Sequence, residues 1–172
     1  MNPIPDFDVI VIAGAPGSGK TTVGQHLRAA QGWPLIELGR LRQFHLDPAW
    51  TLASAAEEQM AFENLLALLR NYRRHGYRNV LVNDLEDFRV QHIPTALEGY
   101  RYVIISLVVD DEELARRVLD PARDSGFRDV QTAIAWNQRL RHRPLLPNEH
   151  RLDSSHQQPQ ETVESVLGVL SR

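Results

Sequence analysis

Gly14-Ala15-Pro16-Gly17-Ser18-Gly19-Lys20-Thr21 matches the phosphate-loop spacing G-x-x-x-x-G-K-[ST] at every fixed position. Phe7-Asp8-Val9-Ile10-Val11-Ile12-Ala13 before it reads as a buried strand, and Thr22-Val23-Gly24-Gln25-His26-Leu27 after it begins a helix. A strand, a glycine loop and a helix N-terminus together form an anion site, because loop N–H groups converge and the helix dipole adds partial positive charge. Lys20 is placed to reach β- and γ-phosphates, and the Thr21 hydroxyl to bind Mg²⁺. The candidate nucleotide-binding segment is Gly14, Ala15, Gly17, Ser18, Gly19, Lys20, Thr21 and Thr22. The pattern arises by chance in roughly 1 chain in 200 of this length, and the flanking strand and helix lower that several-fold.

The 172 residues are expected to form one domain, long enough to bury about 70% of the surface of the unfolded chain. There is no cysteine, which excludes disulfides and thiolate metal sites, and no pair among the seven histidines has zinc spacing beside a third ligand. The net charge of −3, with both signs interspersed, argues against binding to duplex nucleic acid. No apolar run reaches spanning length, and Met1-Asn2-Pro3-Ile4-Pro5-Asp6 lacks the basic start of a signal peptide, so the expected location is the cytoplasm.

Strand-like and helix-like segments alternate along the rest of the chain, the signature of an α/β protein with a parallel sheet. The first helix is expected over about Lys20 to Ala30, a short strand over Leu35–Leu38, and an irregular stretch from Gly39 to Ser54. A long helix follows over Ala55–Arg74, with Phe62, Leu65, Leu66, Leu69 and Tyr72 on one face. Val80–Asp84 reads as the third strand, Phe88–Leu97 as a helix disturbed by Pro94, and Tyr102–Val109 as a buried strand. Asp110 and Asp111 cap the next helix, Val130–Arg141 forms another, and a short strand near His150 precedes a last helix with Val163, Val166, Leu167 and Leu170 inward. Five strands and enough helices to cover both faces give a three-layer α/β/α fold.

Phosphate binding leaves a metal carboxylate, a base and a charge stabiliser to be found. Asp84 ends an apolar strand, where such sheets present side chains to the ligand crevice; there it would hold a water on Mg²⁺, or simply begin a loop. Asn83 and Glu86 are weaker neighbours. Glu37 ends the second strand with Arg40 three residues on: a carboxylate to accept a proton and a guanidinium to hold a substrate anion or the moving phosphoryl group. Arg42, His45 and Asp47 lie on the same stretch and are substitutes. Arg116, Arg117, Arg123 and Arg128 stand among loop-forming residues up to Asp129, the composition of a hinged cationic lid over about residues 120–129, or of a solvated loop. Arg139, Arg141 and Arg143 suit a helix end, and Trp33, Trp50 and Trp136 suit either core or pocket.

On GAPGSGKTT at Gly14, LIELGR at Leu35, LVND at Leu81, ELARRV at Glu113 and the terminal RLDSSHQQPQETVESVL, the chain resembles the nucleoside-monophosphate-kinase and shikimate-kinase group of small P-loop kinases, in an AAA-type ATPase subgroup. The resemblance implies a sheet order of 2-3-1-4-5, ATP and Mg²⁺ as cofactors, and Arg117 against the adenine with Ser154–Gln157 bordering it. It implies Arg123 and Arg128 as lid arginines, with Lys20, Glu37 and Arg40 as the remaining catalytic set. Glu37-x-x-Arg40 is similar to the acidic-x-x-Arg element of polynucleotide kinase and some antibiotic phosphotransferases. The chain departs from shikimate kinases, with Asp84-Leu85-Glu86-Asp87 in place of a triple-glycine element, and from adenylate kinases, with Leu38-Gly39-Arg40-Leu41-Arg42 in place of T-G-D-x-x-R.

The expected function is ATP-dependent transfer of the γ-phosphoryl group to a hydroxyl or phosphate of a small molecule. The alternatives are a nucleotide-dependent switch acting on a protein partner and a nucleic-acid end kinase. A GTPase is disfavoured because no N-K-x-D motif occurs.

Overall fold

The computed structural model describes residues 4–45, 54–122 and 126–172. Asp47, Trp50 and Arg123 lie outside the described residues.

The chain alternates strictly enough to build one parallel sheet. β1 (Val9–Gly14) leads through the glycine loop into α1 (Lys20–Gln31), then β2 (Leu35–Glu37), α2 (Leu38–Arg42) and α3 (Ala55–Arg74). β3 (Val80–Asn83), α4 (Asp87–Ala96), β4 (Tyr102–Val108), α5 (Asp111–Leu119), α6 (Val130–His142), β5 (Glu149–Asp153) and α7 (Pro159–Leu170) complete it. The strand order is β2-β3-β1-β4-β5, with every pair parallel. Val9 is level with Val80 and Tyr102, and Glu37 with Asn83. Parallel strands place their C-terminal ends along one edge. The glycine loop, Glu37, Asn83 and the β4–α5 turn therefore share that edge.

The period of two along β1 divides the core. Val9, Val11 and Ala13 pack with Leu65 and Leu69 of α3 and Val90 and Ile93 of α4, while Ile10 and Ile12 pack with Val23 and Leu27 of α1 and Val163, Val166 and Leu170 of α7. A third cluster joins Ala15 of the loop to Leu114 and Val118 of α5 and Ala133 of α6. The expected helical stripe on α3 is the face that packs, with Phe62, Leu65 and Leu69 buried and Leu66 and Tyr72 at its margin.

Three local expectations need correction. Leu38 does not extend β2; it opens α2, whose Gly39 N–H donates to the Asp84 carboxylate at 2.9 Å. β3 ends at Asn83, because Asp84 has a left-handed φ of 63°. Helix α4 starts at Asp87, a residue before the expected start, and runs on through Pro94 as expected: Val90, Ile93 and Leu97 are anchored in the core, and the proline disturbs the helix only by removing the bond to the Val90 carbonyl.

Candidate nucleotide site and the strand ends around it

The glycine loop has the backbone its spacing demands. Gly14, Gly17 and Gly19 have φ of 148°, 91° and 95°. Gly17 is required twice over: a Cβ there would also lie 2.9 Å from Val118 Cγ2 on α5. Nothing lies within 4 Å of a Cβ built on Gly19, so the loop is open at that point. Lys20 folds back and donates from Nζ to the Ala15 carbonyl at 2.9 Å. Helix α1 begins without a side-chain cap, unlike α3, α5 and α6, which are capped by Ser54, Asp110 and Asp129. Its first amides therefore face the open loop with Thr21 and Thr22, both exposed. Ser18 is buried beneath, its hydroxyl without a partner.

At the end of β2, one strand beyond β3 on the same edge, Arg40 Nε donates to Glu37 Oε2 at 2.5 Å, and Glu37 holds the guanidinium pKa above its ordinary value. The expected pair thus forms, with Glu37 largely buried and Arg40 exposed. Asp84 is exposed and joins the same corner through Gly39. Arg42 is not available as a substitute: it is buried, 2.7 Å from Glu58 and 3.4 Å from Glu86.

On the other side of the loop, Arg117 and Ser154 are brought together. Arg117 donates from Nε to Glu113 Oε1 at 2.6 Å and from Nη2 to the Ser154 carbonyl at 2.7 Å. The bidentate hydrogen bond from Arg116, with the help of Arg117, outweighs desolvation and lowers the Glu113 pKa to about 2. A hollow of about 590 Å³ opens beside this contact, lined by Asp110, Glu112, Glu113, Arg116 and His156. Arg128 is exposed and donates to the Phe127 carbonyl at 2.9 Å.

Sequence reasoning looked for a second pocket in Gly39–Ser54 and in the region after Asp84; it missed the α6 wall, but that second region forms the other wall of a cleft between α4 and α6. Its cavity of about 250 Å³ is lined by Glu86, Asp87, Phe88, Gln91, Trp136 and Arg139, and Trp136 packs on the cluster that contains Ala15 of the loop. The cleft is held in shape from behind. Arg143, expected to decorate a helix end, is mostly buried, 3.3 Å from Asp87 and bidentate to Glu149 at 2.6 and 2.8 Å. Arg89 is also buried, between the rings of Phe62 and Phe88, with Nη1 on Gln59 Oε1 at 2.7 Å. The sequence signal for Arg89 was its place within an apolar helical period, and Arg143, just past the end of α6, had none.

Residues 10–132 match the AAA domain family. The chain belongs to that family. No curated protein matches it in sequence. This AAA-family chain is similar in fold to a gluconokinase from Sinorhizobium meliloti (20% identity, 95% of this chain and 91% of that one, TM-score 0.66). It is similar likewise to the shikimate kinase of Bacteroides thetaiotaomicron (16%, 95% and 98%, 0.65) and to thymidylate kinase from Candida albicans (15%, 96% and 91%, 0.65). The sheet order and helical layers agree with the small P-loop kinase fold expected from sequence. Among the described residues, no helix is long and apolar enough to cross a membrane.

Among the described residues, no group of three or more His, Cys, Asp or Glu could hold a metal ion. The Thr21 hydroxyl, exposed at the start of α1, has the chemistry to ligate a cation carried on nucleotide phosphates.

Proposed function

We propose that the protein is an ATP-dependent phosphotransferase acting on a small molecule. The observation that carries this reading is the open glycine loop at the uncapped start of α1, with Glu37 and Arg40 paired at the end of β2 on the same sheet edge. A nucleotide site alone would serve a switch; a carboxylate on the same sheet edge and a cleft whose Trp136 packs on the cluster containing Ala15 favour a transferase. The fold neighbours include kinases for a sugar acid, a carbocyclic acid and a nucleotide, so the fold accommodates varied acceptors.

In this reading the loop amides and Lys20 bind the β- and γ-phosphates, and Arg117 with the Ser154 turn borders the adenine. The acceptor occupies the α4–α6 cleft, with Phe88 and Trp136 as its apolar walls. Its hydroxyl oxygen attacks the γ-phosphorus while the bond to the β,γ-bridging oxygen breaks and ADP leaves. Glu37 takes the hydroxyl proton, Arg40 orients that carboxylate, and an arginine of the lid over about residues 120–129, Arg123 or Arg128, stabilises the equatorial oxygens. Where the acceptor is itself a phosphate, no base is needed and Arg40 instead holds its charge. Mg²⁺ supplies charge neutralisation on the phosphates when bound, held by Thr21 and by a polar group at the end of β3, Asn83 or Asp84.

The test is ATP consumption over a panel of sugars, sugar acids, nucleosides, nucleotides and oligonucleotide ends, for wild type and Lys20→Ala. Wild type should turn over on one class and Lys20→Ala should lose at least 100-fold with an unchanged melting temperature. Turnover retained by Lys20→Ala refutes the assignment. Turnover only on oligonucleotide ends, with steep salt dependence, selects the end-kinase alternative.

A further inference from the structure

Asn83 is the last residue of β3, level with Glu37 on β2, and has no exposed surface. Neither its Oδ1 nor its Nδ2 has a hydrogen-bond partner. An amide buried with both polar atoms unmet is a costly arrangement that native chains keep for a reason. Leu81, two residues earlier on the strand, packs with Val23 and Leu27 of α1, so Asn83 faces the same helix. The helix is shaped around it: a Cβ on Gly24 would stand 3.0 Å from Asn83 Nδ2. Glycine inside a helix is unfavourable, and here it leaves room for the amide. Gly24 is three residues on from Thr21 and four from Lys20, which places all three on one helical face. The unmet amide therefore lies one turn beneath the hydroxyl and ammonium that open α1.

Asp84 is differently disposed. It stands beyond the strand, exposed, with a left-handed φ of 63° and its Oδ2 taken by the Gly39 amide. That bond fixes the start of α2 and with it the Glu37–Arg40 pair.

We propose that Asn83, not Asp84, is the strand-end group that contacts the hydration shell of the nucleotide-borne Mg²⁺, and that Asp84 is a positioning residue for α2. This rests on the nucleotide-binding reading above. An amide suits the place: Oδ1 accepts from a metal-bound water while Nδ2 donates to the Thr21 hydroxyl. Being neutral, it neither repels metal-free nucleotide nor attracts the cation as a carboxylate does. The Mg²⁺-linked gain in nucleotide affinity is thus set by hydrogen bonding at Asn83.

The test is calorimetric binding of a non-hydrolysable ATP analogue with Mg²⁺ and with EDTA, for wild type, Asn83→Leu, Asn83→Asp, Asp84→Asn and Gly24→Ala, together with melting temperatures. Asn83→Leu should reduce the Mg²⁺-linked tightening about tenfold, leave the EDTA affinity within twofold, and melt no lower than wild type, because two unmet polar atoms are removed. Asn83→Asp should increase the tightening, and Asp84→Asn should leave it unchanged. Gly24→Ala, which crowds the amide without removing it, should lower the tightening several-fold and serves if the leucine variant does not fold. Full tightening in both Asn83→Leu and Gly24→Ala, or its loss in Asp84→Asn, overturns the proposal while the nucleotide site stands. A wild type that binds no analogue in either condition refutes the nucleotide site itself, and the proposal with it.

Discussion

Replacing Glu149 by alanine should unfold the protein at a much lower temperature, although the residue is remote from the loop in sequence. Its carboxylate has no exposed surface and accepts four hydrogen bonds: Arg143 Nη1 and Nη2 at 2.6 and 2.8 Å, Leu146 N at 2.7 Å and Ser106 Oγ at 2.5 Å. Burial pushes the Glu149 pKa up, but the bonds from Arg143, Leu146 and Ser106 outweigh it, and the net value lies below the ordinary carboxylate range. Alanine leaves a mostly buried guanidinium with Asp87 at 3.3 Å as its remaining carboxylate and only the Pro144 carbonyl besides, and two further donors without their acceptor. Removing one partner of a buried pair costs about 3–5 kcal/mol. For a domain of this size that is a fall in melting temperature of roughly 6–20 °C.

Thermal unfolding followed by circular dichroism measures it, with urea unfolding to supply the free energy. The Arg143→Met/Glu149→Leu double variant should be markedly more stable than Glu149→Ala, because it leaves no uncompensated charge. The pair also has an acid signature. The folded Glu149 pKa is lower than the unfolded one, so its contribution is present above about pH 4.5 and is lost as pH falls through the folded value. A melting temperature within about 2 °C of wild type for Glu149→Ala, or a double variant as unstable as the single one, refutes the reasoning.

Three further outcomes follow from the site. Glu37→Gln should cut turnover by about 100-fold or more while changing ATP-analogue affinity less than about twofold; loss of affinity alone would remove Glu37 as the base. Gly17→Ala, at φ 91° and 2.9 Å from Val118 Cγ2, should lower stability by about 1–2 kcal/mol and weaken analogue binding, and unchanged melting and binding would contradict the loop packing. Glu113→Gln should melt below wild type at pH 7. The difference should close as pH falls from 4.5 to about 2, where wild-type Glu113 also becomes neutral, and a pH-independent gap would place its effect outside the Arg116 and Arg117 ion pairs.

What was legible in the chain was whatever local periodicity encodes. The β1 strand, the glycine loop and α1 are contiguous, and each carries its own signal: buried β-branched residues, glycines at left-handed positions, an uncapped helix start. Glu37 and Arg40 were readable because three residues of separation nearly closes a helical turn, and α2 supplies that turn. The start of α2 itself was not readable, since the acceptor for its first amide, Asp84, lies 45 residues away. Helix α4 was readable through Pro94, which was expected to disturb it without ending it, and the core contacts of Ile93 and Leu97 hold the helix there.

The cleft shows why an acceptor pocket escapes such a reading. Its walls come from the first turn of α4 and the middle of α6, and neither segment has a motif. They are coupled through Arg143, which reaches Asp87 across 56 residues and Glu149 across 6. In sequence, Asp87 lay just before the expected fourth helix, Arg143 looked like a helix-end cation, and Glu149 carried no signal. Only the fold makes them a single buried salt bridge behind Glu86, Phe88 and Trp136. The donor half of the site is thus written in consecutive residues, as any phosphate-binding loop must be, because backbone amides recognise the ligand. In the proposed reading the acceptor half depends on side chains that converge from separate elements, and the buried pair behind the cleft holds its shape. A change at Glu149 should therefore alter acceptor KM before it alters nucleotide affinity.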